Sequence, residues 1–153
     1  MKFVNYLTFL VLIATLTIST IISSMEGAWA DFLLKTVVTG QYPIAFEYNP
    51  NNHDIYVADY DSDRISVIDG ITNEVTNTIR VGDSPRDIVY AENTNKLYVG
   101  NAGSGDISVI DGSTNEVIDT IDVHGNPFDL EYSTVDECVY VMNSHYVTVL
   151  DTE

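Results

Sequence analysis

A phrase of the form Tyr-Val-x-Asp/Asn returns three times at a step of 42 residues: Tyr56-Val57-Ala58-Asp59, Tyr98-Val99-Gly100-Asn101 and Tyr140-Val141-Met142-Asn143. Pro43, Pro85 and Pro127 keep the same step, as do Tyr48, Tyr90 and Tyr132. Residues 42–83 laid over 84–125 without a gap give 19 identities in 42 positions, where chance gives roughly two or three. A repeat of this length is one supersecondary unit that cannot bury its apolar face alone. Neighbouring units must therefore stack on one another.

Each unit reads as four short strands. The first covers Ile44–Tyr48, Arg86–Tyr90 and Phe128–Tyr132, and the second is the Tyr-Val phrase. The third covers Ile65–Asp69, Ile107–Asp111 and, after a loop two residues shorter, Val147–Asp151. The fourth covers Val75–Val81 and Val117–Val123. β-Branched and aromatic residues fill these runs, and Gly, Asn and Asp separate them. Ile65 and Val67 alternate with Ser66 at period two, which excludes a helix there. Between third and fourth strands stand Asp69-Gly70-Ile71-Thr72-Asn73 and Asp111-Gly112-Ser113-Thr114-Asn115. The glycine is expected to supply a positive φ, and the Asp, Thr and Asn side chains to tie down the turn backbone.

Four strands in about 40 residues, repeated in tandem, predict an all-β chain of β-propeller blades. The blades fall at about 42–83, 84–125 and 126–153 within a repeat domain over 31–153. Leu33–Gly40 aligns with Val75–Gly82, placing Thr36 on Thr78 and Gly40 on Gly82. This predicts an opening strand over 33–40 with the character of a fourth strand, while the last unit has only three. One loose strand plus four, four and three makes three blades' worth, and a closed propeller needs about four to eight blades. Two readings follow. The first, placed ahead, is a fragment of a longer propeller. In the second, two copies join head to tail, each lending its opening strand to the other, and make a ring of six.

The Tyr-Val-x-Asp/Asn, Ile-Ser-Val-Ile-Asp and Thr-Asn-Glu-Val-x-x-Thr-Ile-x-Val strands resemble the YVTN-type β-propeller repeat family of archaeal and bacterial surface-layer and secreted proteins. The resemblance covers about residues 32–153. The threonine of that family's phrase is absent, and Ala58, Gly100 and Met142 stand in its place. The resemblance implies a propeller and a surface or extracytoplasmic location. It implies no single activity, because the fold hosts many.

The first 30 residues fit that location. Lys2 gives a positive start, an apolar run follows from Phe3 to about Ile22, and Ala28-Trp29-Ala30 ends the segment. This is the pattern of a secretory signal peptide cut after Ala30. The apolar run is also long enough, at roughly 20 residues, to serve as an uncleaved anchor. It is the only membrane attachment expected. The net charge is −17, from 23 acidic and 6 basic residues. Such a surface repels nucleic acid and anionic headgroups, which excludes both as partners at this stage. Cys138 is the single cysteine, so no internal disulfide can form. Its repeat equivalents Asp54 and Lys96 are polar, which predicts an exposed turn.

In a propeller the loops joining fourth to first and second to third strands share one face. That face is expected to carry Asp59, Asp61, Asp63, Asp83, Asp106, His124 and His145. Asp59, Asp61 and Asp63 alternate in one loop and are the candidate Ca²⁺ ligands, since alternate aspartates present several hard oxygens. Arg64 stands where a helix-flanked calcium loop wants Gly, and the other repeats lack the pattern. His124 and His145 belong to one blade but have no third ligand in register, and His53 belongs to the opposite face. The innermost strand carries Glu47, Asp87, Asp129 and Glu131, a carboxylate set able to hold a cation or polarise a lactone. No nucleophile elbow, haem-attachment motif or phosphate loop occurs.

The first functional reading is therefore a secreted or cell-surface module with a non-catalytic binding or envelope-structural role. It needs no cofactor, and Ca²⁺ is the one candidate ion. Its partner is a protein, an envelope component or a second copy of itself. The alternative is a fragment of an extracytoplasmic propeller enzyme, either a metal-dependent lactonase-like hydrolase or a redox propeller.

Overall fold

The computed structural model describes residues 34–153. The leader expected over 1–30 lies outside them. The chain divides into two units, Met1–Thr36 and Val37–Glu153. Of the first, only residues 34–36 are described, and they take no regular secondary structure. Among the described residues no helix is long and apolar enough to cross a membrane.

The second unit is all-β. Its strands are β1 (Pro43–Asn49), β2 (Asp54–Asp59), β3 (Arg64–Asp69), β4 (Glu74–Arg80), β5 (Pro85–Ala91), β6 (Lys96–Asn101), β7 (Asp106–Asp111), β8 (Glu116–Asp122), β9 (Asp129–Ser133), β10 (Cys138–Met142) and β11 (Val147–Asp151). They form three antiparallel sheets ordered β1-β2-β3-β4, β5-β6-β7-β8 and β9-β10-β11. The strands sit where the repeat predicts them, within a residue or two. A single 3₁₀ turn, Tyr60–Ser62, is the only helical element described. The repeat extends to irregularities. β1 and β5 slip register at Pro43/Ala45 and Pro85/Asp87, and β3 and β7 slip against β4 and β8 at Val67/Ile68 and Val109/Ile110. Such bulges sharpen the local twist and recur where the same sequence recurs.

The sheets stack face to face along the chain. Tyr56, Ala58, Ile65, Val67 and Ile79 of the first sheet meet Ile88, Leu97, Val99 and Ile110 of the second in one buried cluster. Val89, Tyr98, Ile107 and Val109 on the far face of the second sheet meet Leu130, Val139 and Val141 of the third in another. Each such Val, Leu or Ile side chain, fully buried, contributes about 1.5–3 kcal/mol. The period-two alternation of the strands thus gives the middle sheet two apolar faces and one neighbour on each. The first strands β1, β5 and β9 lie side by side at the inner end of the stack.

The turns follow the sequence with one correction. Asp69 accepts from the backbone N–H groups of Ile71 and Thr72, both at 2.8 Å, and Asp111 does the same for Ser113 at 2.7 Å and Thr114 at 3.2 Å. The positive φ expected at Gly70 and Gly112 falls instead on Asn73 and Asn115, at 55° and 60°. The glycines are needed for a different reason. Gly70 N–H donates to the His53 carbonyl at 3.0 Å, and Gly112 N–H to that of Asn95 at 2.9 Å, so the carbonyl occupies the space a Cβ would take. Two further expectations meet different geometry. Residues 34–39, within the opening strand expected at 33–40, take no regular secondary structure. Cys138 is the first residue of β10, half-buried, its Sγ donating to the Asp136 carbonyl, where an exposed turn was expected.

Candidate functional site

The last residue of each Tyr-Val phrase has a shared structural role. Asp59, Asn101 and Asn143 are all buried. Each is tied to a hydroxyl of its own third strand. Ser66 Oγ donates to Asp59 Oδ2 at 2.6 Å, Asn101 Nδ2 donates to Ser108 Oγ at 2.9 Å, and Asn143 Nδ2 donates to Thr148 Oγ1 at 3.2 Å. Gly40, Gly82 and Gly125 lie directly over these side chains, so close that any side chain there would strike them.

The three candidate calcium ligands have different surroundings. Asp59 is turned inward, held by Ser66 and by Arg64 Nε at 3.5 Å. Asp63 adopts φ 51° and its Oδ1 accepts the Ser84 N–H at 2.9 Å, which ties the first blade to the second. Asp61 alone faces outward, into a shallow open cleft of about 360 Å³ lined by Tyr42, Ile44, Tyr60, Asp61 and Arg86. The rings of Tyr42 and Tyr60 meet edge to face with centroids 5.9 Å apart, and the Arg86 guanidinium lies 5.7 Å from the centre of the Phe128 ring. Three aspartates adjacent in sequence thus serve three different purposes. Among the described residues no three His, Cys, Asp or Glu side chains group as a metal site.

His124 and His53 have separate partners. His124 Nδ1 pairs with Asp122 at 3.0 Å. Tyr146, the neighbour of His145, is the residue that reaches across, its hydroxyl donating to the His124 carbonyl at 2.6 Å. His53 stacks on Tyr48 at the opposite end, with Nδ1 2.9 Å from the phenol oxygen.

The carboxylates of the innermost strands do come together. Burial raises the Glu47 carboxyl above its ordinary value, and the negative charges of Asp87 and Glu131 add to the rise. Burial likewise raises Asp87, with Asp129 and Glu131 adding to it. Asp87 also has a structural partner, because its Oδ2 accepts the Leu130 N–H at 2.6 Å and so links β5 to β9. The set is a patch of negative potential at the inner end of the stack, with two members that hold protons more tightly than usual.

Sequence reasoning missed a second polar ladder on the opposite face. Tyr56 OH donates to Asn115 Oδ1 of the next blade at 2.5 Å and accepts from Asn52 Nδ2 at 3.0 Å. Asn51 Nδ2 donates to Tyr90 OH at 2.8 Å, and Tyr90 OH donates to Asn95 Oδ1 at 3.0 Å. Between second and third blades the partners change. Asn93 Nδ2 donates to Thr152 Oγ1 at 2.9 Å, and Lys96 Nζ donates to the Thr152 carbonyl at 2.9 Å. The signal was the recurrence of Tyr and Asn at the 42-residue step, which marked these residues as repeated without saying what they bind.

No protein-family model matches the chain, and no curated protein matches it. Solved structures do. Hydrazine synthase of Kuenenia stuttgartiensis superposes with a TM-score of 0.68 at 23% identity, over 79% of this chain and 36% of that one. Apo AztD from Citrobacter koseri gives 0.53 at 27% identity, over 61% and 27%. The dihydro-heme d1 dehydrogenase NirN gives 0.61 at 16% identity, over 69% and 24%. The chain thus spans about a third or less of the length of these structures. All three contain β-propellers, so the stacked sheets described here are consecutive blades of a β-propeller.

Proposed function

We propose that this chain is an extracytoplasmic β-propeller module of the YVTN-repeat type, with a non-catalytic role in binding or in building an envelope layer. The observation that carries the reading is where the repeated polar residues go. Asp59, Asn101 and Asn143 lock third strands, and Asp63, Tyr56 and Tyr90 join one blade to the next. What the repeat preserves is therefore the machinery of stacking. The family resemblance, the leader pattern and the acidic charge support an address outside the cytoplasm. The test is fractionation of cells producing the full chain. Retention in the envelope fraction, with no bound metal by elemental analysis, supports the module. Recovery from the cytoplasm overturns the address.

A second reading has one observation in its favour, the carboxylate cluster of Glu47, Asp87 and Glu131 with two raised carboxyls. Perturbed carboxyls gathered at one place are a common mark of a reactive site. Under this reading the chain is part of a propeller hydrolase that acts on an ester or lactone. A lactone-hydrolysing activity lost in both Glu47→Gln and Asp87→Asn, with the fold retained by circular dichroism, would establish it.

A further inference from the structure

The first and second blades build the same corner from different side chains. Where the loop after the second strand meets the entry to the first, the Tyr60 N–H donates to the Tyr42 carbonyl at 3.0 Å and the Asp61 N–H to the Gln41 carbonyl at 3.2 Å. One blade on, the Ala102 N–H donates to the Ser84 carbonyl at 3.0 Å and the Gly103 N–H to that of Asp83 at 2.9 Å. Tyr42 and Ser84 share a left-handed backbone, each at φ 55°. The scaffold therefore needs no large side chain at these places, and a tyrosine at positive φ is costlier to hold than a serine. Positions that serve stacking keep Tyr, Asp or Asn through the repeat, whereas 42, 60 and 61 read Tyr, Tyr and Asp in the first unit and Ser, Ala and Gly in the second.

What the first blade gains is a cleft. Tyr42, Ile44, Tyr60 and Asp61 line it from the first blade and Arg86 from the second, so both its walls belong to a junction inside the chain. Its volume of about 360 Å³ lies at the small end of the range for ligand clefts, about 300–1,000 Å³. The phenols of Tyr48, Tyr56, Tyr90 and Tyr146 are all tied to protein partners. Among the described residues, the phenols of Tyr42 and Tyr60, the Asp61 carboxylate and the Arg86 guanidinium have no hydrogen-bond or ion-pair partner. Their contacts are ring contacts, Tyr42 with Tyr60 and Arg86 over Phe128. The cleft thus combines two ring surfaces, two phenols that donate and accept, a carboxylate that accepts and a guanidinium that donates. Opposite charges in one small site disfavour a ligand of either net charge, and the −17 of the whole chain disfavours an anion further. The ligand that answers this set is neutral, has an apolar C–H face to lay on a ring, and carries neighbouring hydroxyls that both donate and accept. We propose that this cleft binds a neutral pyranose unit of a glycan, with Tyr42 and Tyr60 against its face and Asp61 and Arg86 on its hydroxyls. A sugar site of this kind deepens the binding role of the module and rests on that reading.

The second blade supplies the test. The full chain, produced with its own leader, is titrated with maltose, cellobiose and diacetylchitobiose by saturation-transfer NMR and calorimetry. At least one of these is expected to bind, and digalacturonate to bind more weakly than it does. Tyr42→Ser with Tyr60→Ala writes the second blade's residues into the first. That variant is expected to keep its fold by circular dichroism and to weaken sugar binding about tenfold or more. Asp61→Asn, a change at an exposed side chain, keeps the test open if the double variant folds poorly, and is expected to weaken binding several-fold. No binding by any of the three sugars, unchanged binding in either folded variant, or tighter binding of digalacturonate overturns the proposal. Retention in the envelope fraction without sugar binding sinks the sugar site alone, whereas recovery from the cytoplasm sinks the address of the module.

Discussion

Asp59 shows how a residue with a ligand's chemistry can brace a strand. In sequence it begins an Asp-x-Asp-x-Asp run, and its oxygens suit a hard cation. In the fold it is buried against Ser66 and Arg64. The clue lay in the repeat, since Asn101 and Asn143 occupy the same position. Exchange of Asp for Asn keeps a hydrogen-bond geometry and discards a charge, which a brace tolerates. Spacing within one loop carries no such information, which is why the candidate site was less legible than the strands. Asp59→Asn is therefore expected to cost about 1 kcal/mol or less. Asp59→Ala strands the Ser66 hydroxyl in the interior and is expected to cost about 2–3 kcal/mol. Tyr56→Phe removes the bonds to Asn115 and Asn52 while keeping the packing, and is expected to cost about 1–2 kcal/mol. Urea unfolding of each variant checks these values.

At the scale of the element, the strands were legible because alternation and turn residues agree over every unit, and β9 and β10 could be read from their equivalents. What the sequence did not disclose was why its glycines are glycines. Gly70 and Gly112 were expected to bend the chain through a positive φ, but the bend falls on Asn73 and Asn115, and the glycines make room for a carbonyl from the neighbouring turn. Close approach of distant backbone is a tertiary fact with no local signature. Gly82 is the sharpest case. A methyl there would meet Ser104 Oγ and would lie 2.7 Å from both Asn101 Nδ2 and Asp106 Oδ1. Gly82→Ala is expected to destabilise by about 1–3 kcal/mol, as crowding in a packed site does. Its measure is the midpoint of thermal or urea unfolding against that of the unaltered chain.

For the molecule as a whole, charge sets the response to pH. Glu47 and Asp87 are raised by burial above their ordinary values of 4.5 and 3.8. A carboxyl raised by folding stabilises the fold fully below its ordinary value, and that contribution is lost as pH rises through the folded value. Asp69 runs the other way. It is lowered from 3.8 by the N–H groups of Thr72 and Ile71, so its contribution is present above that value and is lost as pH falls through the folded one. Melting temperature is thus expected to rise on acidification towards the ordinary values of 4.5 and 3.8, and to fall again as pH drops below 3.8. The double variant Glu47→Gln, Asp87→Asn is expected to melt a few degrees higher at pH 7 and to gain less on acidification. Calorimetry across that range checks both.

The recurrence of the same brace in all three sheets, and of the same bulges and carbonyl-seating glycines in the first two, has a developmental corollary. When units are built to one template, the gene can grow or shrink by whole units, and no new interior has to be invented. Splicing in an additional copy of residues 84–125 is expected to yield a longer protein that still melts cooperatively, with its blade count raised by one.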